Sequence, residues 1–177
     1  MAFRFDKLTI KAQEAVAKAQ SLAADAGNPE IDPLHLLAAL LAEREGIVGP
    51  VLGKIGANAA QLTGTVRAEM NHFPKVSGGA EPALNRDSVK VLEAALSVAH
   101  EMKDEFVSTE HLLLALAKTD SKAKNLLKLN GVDENDILAS LKSIRGSTRV
   151  VDQNPEEKFQ ALERYGHSHG PVCEYFA

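Results

Sequence analysis

The sequence predicts an all-α protein in which two tandem four-helix repeats, related by a pseudo-twofold axis, form one globule of eight helices, followed by a linker and a short helix. Three observations carry this reading. Ala and Leu supply 26 and 22 of the 177 residues, against eight aromatics and no Trp, a make-up suited to closely packed helices and poor for sheets. Helix caps and C-terminal glycines punctuate the chain. The order of those signals then returns about 76 residues later.

Thr9 caps a first helix that runs to about Ala26, and Gly27 stands where a left-handed residue ends a helix. Ile10, Val16 and Leu22, joined by Ala12, Ala15, Ala19, Ala23 and Ala26, give it one apolar stripe. Asp32-Pro33 couples a cap to a first-turn proline and opens a helix bearing Leu36, Leu37, Leu40 and Leu41. A short helix near 48–54 closes at Gly56, and a fourth opens at Asn58 with Leu62, Val66 and Met70. Residues 72–84 contain Pro74, Ser77-Gly78-Gly79 and Pro82 and read as an exposed connecting loop. Asn85 or a neighbour then starts a fifth helix with Val89, Leu92, Leu96 and Ala99. Ser108 caps a sixth with Leu112, Leu113 and Leu116, a short seventh covers about 124–129 before Gly131, and Asp133 caps an eighth with Ile137, Leu138, Leu141 and Ile144 that stops at Gly146.

The repeat can be scored. Residues 15–40 laid without gaps on 91–116 match at eight of 26 positions, among them His35/His111, Leu36/Leu112, Leu37/Leu113 and Leu40/Leu116. A shift of 75 then superposes Leu52 on Leu127, Gly56 on Gly131 and Asn58 on Asp133. One such unit buries little alone, so two are expected to share a core. The expected organisation is a domain over 1–146, with repeats at about 5–70 and 84–146. A flexible linker at 147–153 and a helix start at 154–166 follow, the latter from the cap, proline and acid of Asn154-Pro155-Glu156-Glu157. The tail 167–177 has no period.

Composition excludes several classes of function. Twenty basic against 24 acidic residues leave a net charge of −4, which argues against duplex nucleic acid as a partner. A single cysteine, Cys173, rules out an internal disulfide framework. No run approaches the roughly 20 apolar residues of a membrane span, and a soluble cytoplasmic chain is expected. Gly49-Pro50-Val51-Leu52-Gly53-Lys54-Ile55 is the text nearest to a phosphate-binding loop, but it is one residue short between glycines and has Ile55 where a hydroxyl is needed. His35 and His111 occupy equivalent places in the repeat and are expected to bond helix ends while half buried, not to bind metal. His167, His169 and Cys173 lie in a short terminal segment and carry no expected metal or nucleophile role.

Four stretches carry a family resemblance. The two [DS]-x-x-H-L-L-x-A-L helices resemble the Clp N-terminal repeat domain of the Hsp100 chaperones and unfoldases. The opening Phe5-Asp6-Lys7-Leu8-Thr9 and the stretch Asp152-Gln153-Asn154-Pro155-Glu156-Glu157-Lys158-Phe159-Gln160-Ala161-Leu162 are similar to the ClpB-type branch. The likeness covers residues 1–166. Beyond Tyr165 that branch continues into an ATPase, whereas here Gly166 leads into an unmatched tail. Only the second repeat has Thr109-Glu110-His111; the first reads Pro33-Leu34-His35, unlike the branch associated with phosphoarginine binding.

The resemblance implies a non-catalytic domain that binds unfolded or aggregated protein segments weakly, for delivery to the ATP-driven ring of the full-length chaperone. It ties the positions of Thr9, Asp104 and Glu110 to chaperone activity. Val107 and Leu114 join them as client-binding candidates, because the 107–114 region and the first helix are placed to line a shallow apolar groove suited to many clients. Acids near the start of the sixth helix also complement its dipole. No cofactor, metal, nucleic acid or membrane is expected as a partner. The isolated domain is expected to be monomeric, because the ATPase modules drive ring assembly in this family. The alternative is an adaptor-docking or regulatory N-domain of a ClpA/ClpC-type unfoldase.

Overall fold

Caps and glycines divide the chain into elements that recur in matched pairs. A computed structural model of the chain describes residues 3–146, 148–151 and Gln153; the expected helix at 154–166 and the tail lie outside the described residues. A 3-10 turn at Phe5–Lys7 leads into α1 (Ile10–Asp25), followed by β1 (Glu30–Ile31), α2 (Pro33–Ala42), α3 (Val48–Ile55) and α4 (Ala59–Met70). The second half has β2 (Ala83–Leu84), α5 (Arg86–Glu101), α6 (Thr109–Lys118), α7 (Lys122–Leu129) and α8 (Glu134–Arg145). Helix lengths repeat as 16, 10, 8 and 12 residues in both halves.

The contacts are reciprocal, as a twofold relation requires. α1 meets α6 as α5 meets α2, α3 meets α8 as α7 meets α4, and α2 packs on α6 at the centre. Leu34, Leu36, Leu37 and Leu40 from α2 and Leu112, Leu113, Leu114 and Leu116 from α6 are buried in one shared core. Gly49 and Gly53 lie inside α3, so the glycine pair forms no loop there.

Sequence reading had no strands. Two parallel pairings tie the halves together: Glu30 with Ala83 and Ile31 with Leu84, and Leu8 with Val107. A shift of 76 maps Leu8 to Leu84 and Ile31 to Val107, so the two pairings are symmetry mates. The backbone N–H of Thr9 donates to Val107 O at 2.9 Å and that of Asn85 to Ile31 O at 3.1 Å. Runs this short carry no alternation, which is why the pattern is silent about them. The predicted exposed loop over 72–84 also contributes more than a connection, because it supplies β2 and the half-buried Phe73, whose ring lies 5.3 Å from that of His35. α7 starts two residues earlier than the sequence suggests, since Ser121 Oγ accepts from Lys124 N.

The histidines close capping boxes of an unusual kind. His35 Nδ1 accepts from the Asp32 N–H at 2.9 Å, and His111 Nδ1 accepts from the Ser108 N–H at 2.9 Å, the part normally taken by Glu or Gln at this position. With Nδ1 accepting, each neutral ring carries its proton on Nε2. His35 gives it to Asn28 Oδ1 at 3.0 Å and His111 to Asp104 Oδ2 at 2.7 Å. The rings are fully buried, not half buried as expected, because the box faces the core. Burial holds His35 below the usual imidazole range, against the opposing pull of Asp32.

Gly27 (φ 74°) and its mate Lys103 (φ 60°) both adopt the left-handed conformation, and Lys103 is the one non-glycine with positive φ among the described residues. A side chain there costs roughly 1–2 kcal/mol against glycine. Lys103→Gly is therefore expected to raise stability by about 1 kcal/mol in urea unfolding. A neutral or destabilising result would show that the lysine stem repays its strain.

Candidate functional site

All five residues singled out from the sequence are buried. Thr9 and Glu110 are 0% exposed, Val107 and Leu114 1% and Asp104 8%. None therefore presents its side chain to solvent.

Four of the five gather in two linked places. Thr9 and Val107 meet through the backbone bridge at the start of α1, where Thr9 Oγ1 also accepts from Ala12 N at 3.2 Å. Asp104 and Glu110 meet through Arg145, a residue the sequence reading passed over. Arg145 Nη2 donates to Asp104 Oδ1 at 2.8 Å and to Thr148 O at 2.9 Å, while its Nη1 lies 3.4 Å from Glu110 Oε1. Leu114 belongs to the α6 core, one turn beyond Glu110. The position of Arg145 on the Leu138–Leu141 face of α8 was the available signal: an Arg at apolar helical spacing must find a buried acid.

Asp104 is the hub. Besides Arg145 it accepts from His111 Nε2 through Oδ2 and from the Val150 N–H through Oδ1 at 2.8 Å. Burial alone would push its carboxyl up. The hydrogen bonds from His111, Arg145 and Val150, with the Arg145 charge, outweigh that and hold it at about 2. The acids flanking α6 are thus more than complements to a helix dipole, since Asp104 and Glu110 neutralise a buried guanidinium.

An open groove lies elsewhere, along α1. A shallow groove of about 330 Å³ is lined by Phe5, Gln13, Val16, Ala17, Gln20, Ile31, Pro82 and Leu84. No charged residue lines it, and Gln13 and Gln20 are its polar lining residues; Gln13 Nε2 donates to Leu8 O. Phe5 stands 45% exposed at its rim. A groove thus runs along α1, while the 107–114 region lies beneath the surface. Among the described residues no three His, Cys, Asp or Glu side chains gather as metal ligands, and no helix is long and apolar enough to cross a membrane.

Comparison with known proteins places this architecture. The profile of the Clp repeat (R) N-terminal domain matches residues 7–157. The chaperone protein ClpB of Rhodopirellula baltica is 49% identical over 166 residues, covering 94% of this chain, and the chain spans only 19% of that relative's length. The Hsp104 N-terminal domain from Candida albicans superposes with a TM-score of 0.76 at 23% identity, covering 85% of this chain and 99% of that one. A ClpV N-domain solved in complex with a VipB peptide superposes with a TM-score of 0.62 at 20% identity, covering 76% of this chain and 89% of that one. With its two four-helix repeats, reciprocal contacts and ClpB-type sequence, the chain belongs to the Clp repeat N-terminal domain family, as a ClpB-type N-terminal domain of the Hsp100 chaperones.

Proposed function

We propose that this domain is the non-catalytic, client-facing module of a ClpB-type disaggregase, and that exposed apolar segments of unfolded or aggregated protein bind weakly in the groove along α1. In the full-length protein such segments would pass to the ATP-driven ring. The observation that carries this reading is the groove itself, which is apolar, uncharged and shallow, with a half-exposed phenylalanine at its rim. A surface without fixed charges discriminates little between sequences, which suits a receptor for many clients. The peptide complex of the ClpV N-domain gives a precedent for peptide binding on this fold. Thr9 and Val107 serve the groove through α1. The Thr9–Val107 bridge fixes where α1 begins, and α1 carries Gln13, Val16, Ala17 and Gln20.

An amide chemical-shift titration with a permanently unfolded protein tests this. Shifts are expected on Gln13, Val16, Gln20 and Leu84, and a folded control protein should produce none. Phe5→Ser removes a rim ring worth about 1 kcal/mol, so binding should weaken roughly fivefold with the fold unchanged. A flat titration, or shifts on another face, would overturn the proposal.

A further inference from the structure

The two repeats end alike, and the likeness says where the domain ends. In the first repeat the chain leaving α4 returns to the helix pair: Asn28 Nδ2 donates to Pro74 O at 3.1 Å, and Val76 N donates to Gly27 O at 2.8 Å. In the second, the chain leaving α8 returns to the equivalent place, with Val150 N donating to Asp104 Oδ1 at 2.8 Å and Glu105 N to Val150 O at 2.8 Å. Shifts of 76 relate Asn28 to Asp104 and Pro74 to Val150. The side-chain chemistry at each place matches the backbone it holds. Proline has no N–H, so the first repeat uses an amide that donates to its carbonyl; valine offers an N–H, so the second uses a carboxylate that accepts it.

Further contacts extend the hold. Arg145 Nη2 bridges Asp104 and Thr148 O, and the Val150 side chain is fully buried. Downstream, Ile10 N donates to Gln153 O at 2.8 Å. We propose that Asp104, Arg145 and Val150 form a clasp that makes residues 148–151 and Gln153 part of the second repeat, so that a pivot toward any following module does not lie at Gly146. Asp104 is here a positioning residue. It holds residues 148–151 against the second repeat without touching a client.

Asp104→Asn separates the clasp from the bulk of the fold. With its oxygen turned to His111 Nε2–H, the new amide nitrogen faces the donors of Val150 and Arg145; turned the other way, it faces the imidazole N–H. One side must break, and the Val150 side is the one held only by the end of the repeat. Amide hydrogen exchange and backbone relaxation on the full chain read the result. In the unaltered protein the Val150 amide should be protected and 148–151 should show order parameters near 0.85, as for rigid backbone. In Asp104→Asn, Val150 exchange should accelerate at least tenfold and those order parameters should fall below about 0.6, while the Leu112 amide in α6 stays protected. Val150→Pro is the second variant, should the first unfold. It deletes the donor and puts a ring in place of the buried valine side chain, at a position whose symmetry mate is already proline, and it should free 148–151 with Asp104 still bound to His111 and Arg145. Free exchange at Val150 in the unaltered protein, or a rigid 148–151 in a folded variant, would overturn the clasp.

Discussion

Asp104→Ala is expected to be the most damaging single truncation of a polar residue, costing about 3–5 kcal/mol in urea or thermal unfolding. The change leaves the buried Arg145 guanidinium without its shortest ion pair, the His111 Nε2–H without an acceptor and the Val150 N–H without its partner. Its symmetry mate provides the control. Asn28→Ala removes the same kind of links from His35 and Pro74 but strands no charge, so about 1–3 kcal/mol is expected. The two also differ in pH dependence. Asp104 holds its proton far more weakly folded (about 2) than unfolded (about 3.8), so its contribution is complete above pH 4 and is lost as pH falls toward 2. That difference corresponds to about 2 kcal/mol, and the acid limb of the stability profile should flatten by roughly this amount in Asp104→Ala. His35 acts higher. Burial disfavours its protonation in the folded state, so its contribution begins to fall below the ordinary imidazole range near 6.5. Equal losses for Asp104→Ala and Asn28→Ala, or an unchanged acid limb, would refute the assignment of Asp104 as the charged hub.

Leu37→Ala and Leu113→Ala are expected to cost about 2–5 kcal/mol each, and to cost nearly the same. Both leucines are 0% exposed, they are mates under the repeat, and they sit on the two helices that meet at the pseudo-axis. The shared core adds a second expectation. Each variant should lower the midpoint of one transition seen identically by probes in either half, because α1–α6 and α2–α5 contacts leave neither repeat a complete core of its own. A Leu37→Ala protein in which the first half melts first would show that the repeats are separate folding units.

Much of the architecture is readable from the sequence because helix ends announce themselves chemically. Thr9, Asn58 and Asp133 each cap the helix they were assigned, by accepting a backbone N–H three residues on, and Asp32 does so from Leu34. Gly27, Gly56 and Gly131 take up the positive φ that their places suggest. What stays hidden depends on contacts between distant residues. Lys103 adopts a glycine's conformation with nothing in its own side chain to say so; only its alignment with Gly27 betrays it. The link between Asp104 and Arg145 spans 41 residues and rests on how α8 lies beside α6. The candidate site follows the same division. The family resemblance singles out Asp104 and Glu110, but both side chains are buried and meet around Arg145, whereas Gln13, Val16 and Leu84 line the groove along α1.

The bond from Ile10 N to Gln153 O has a mechanical consequence. It places the segment arriving at α1 beside the segment departing from the second repeat, so the two flanks of the helical core are joined there. Tension applied at residues 5 and 153 would peel this junction apart one bond at a time and would not load α2 and α6 in series. A tug on the flanking chain would thus open the tether first and reach the helical core last.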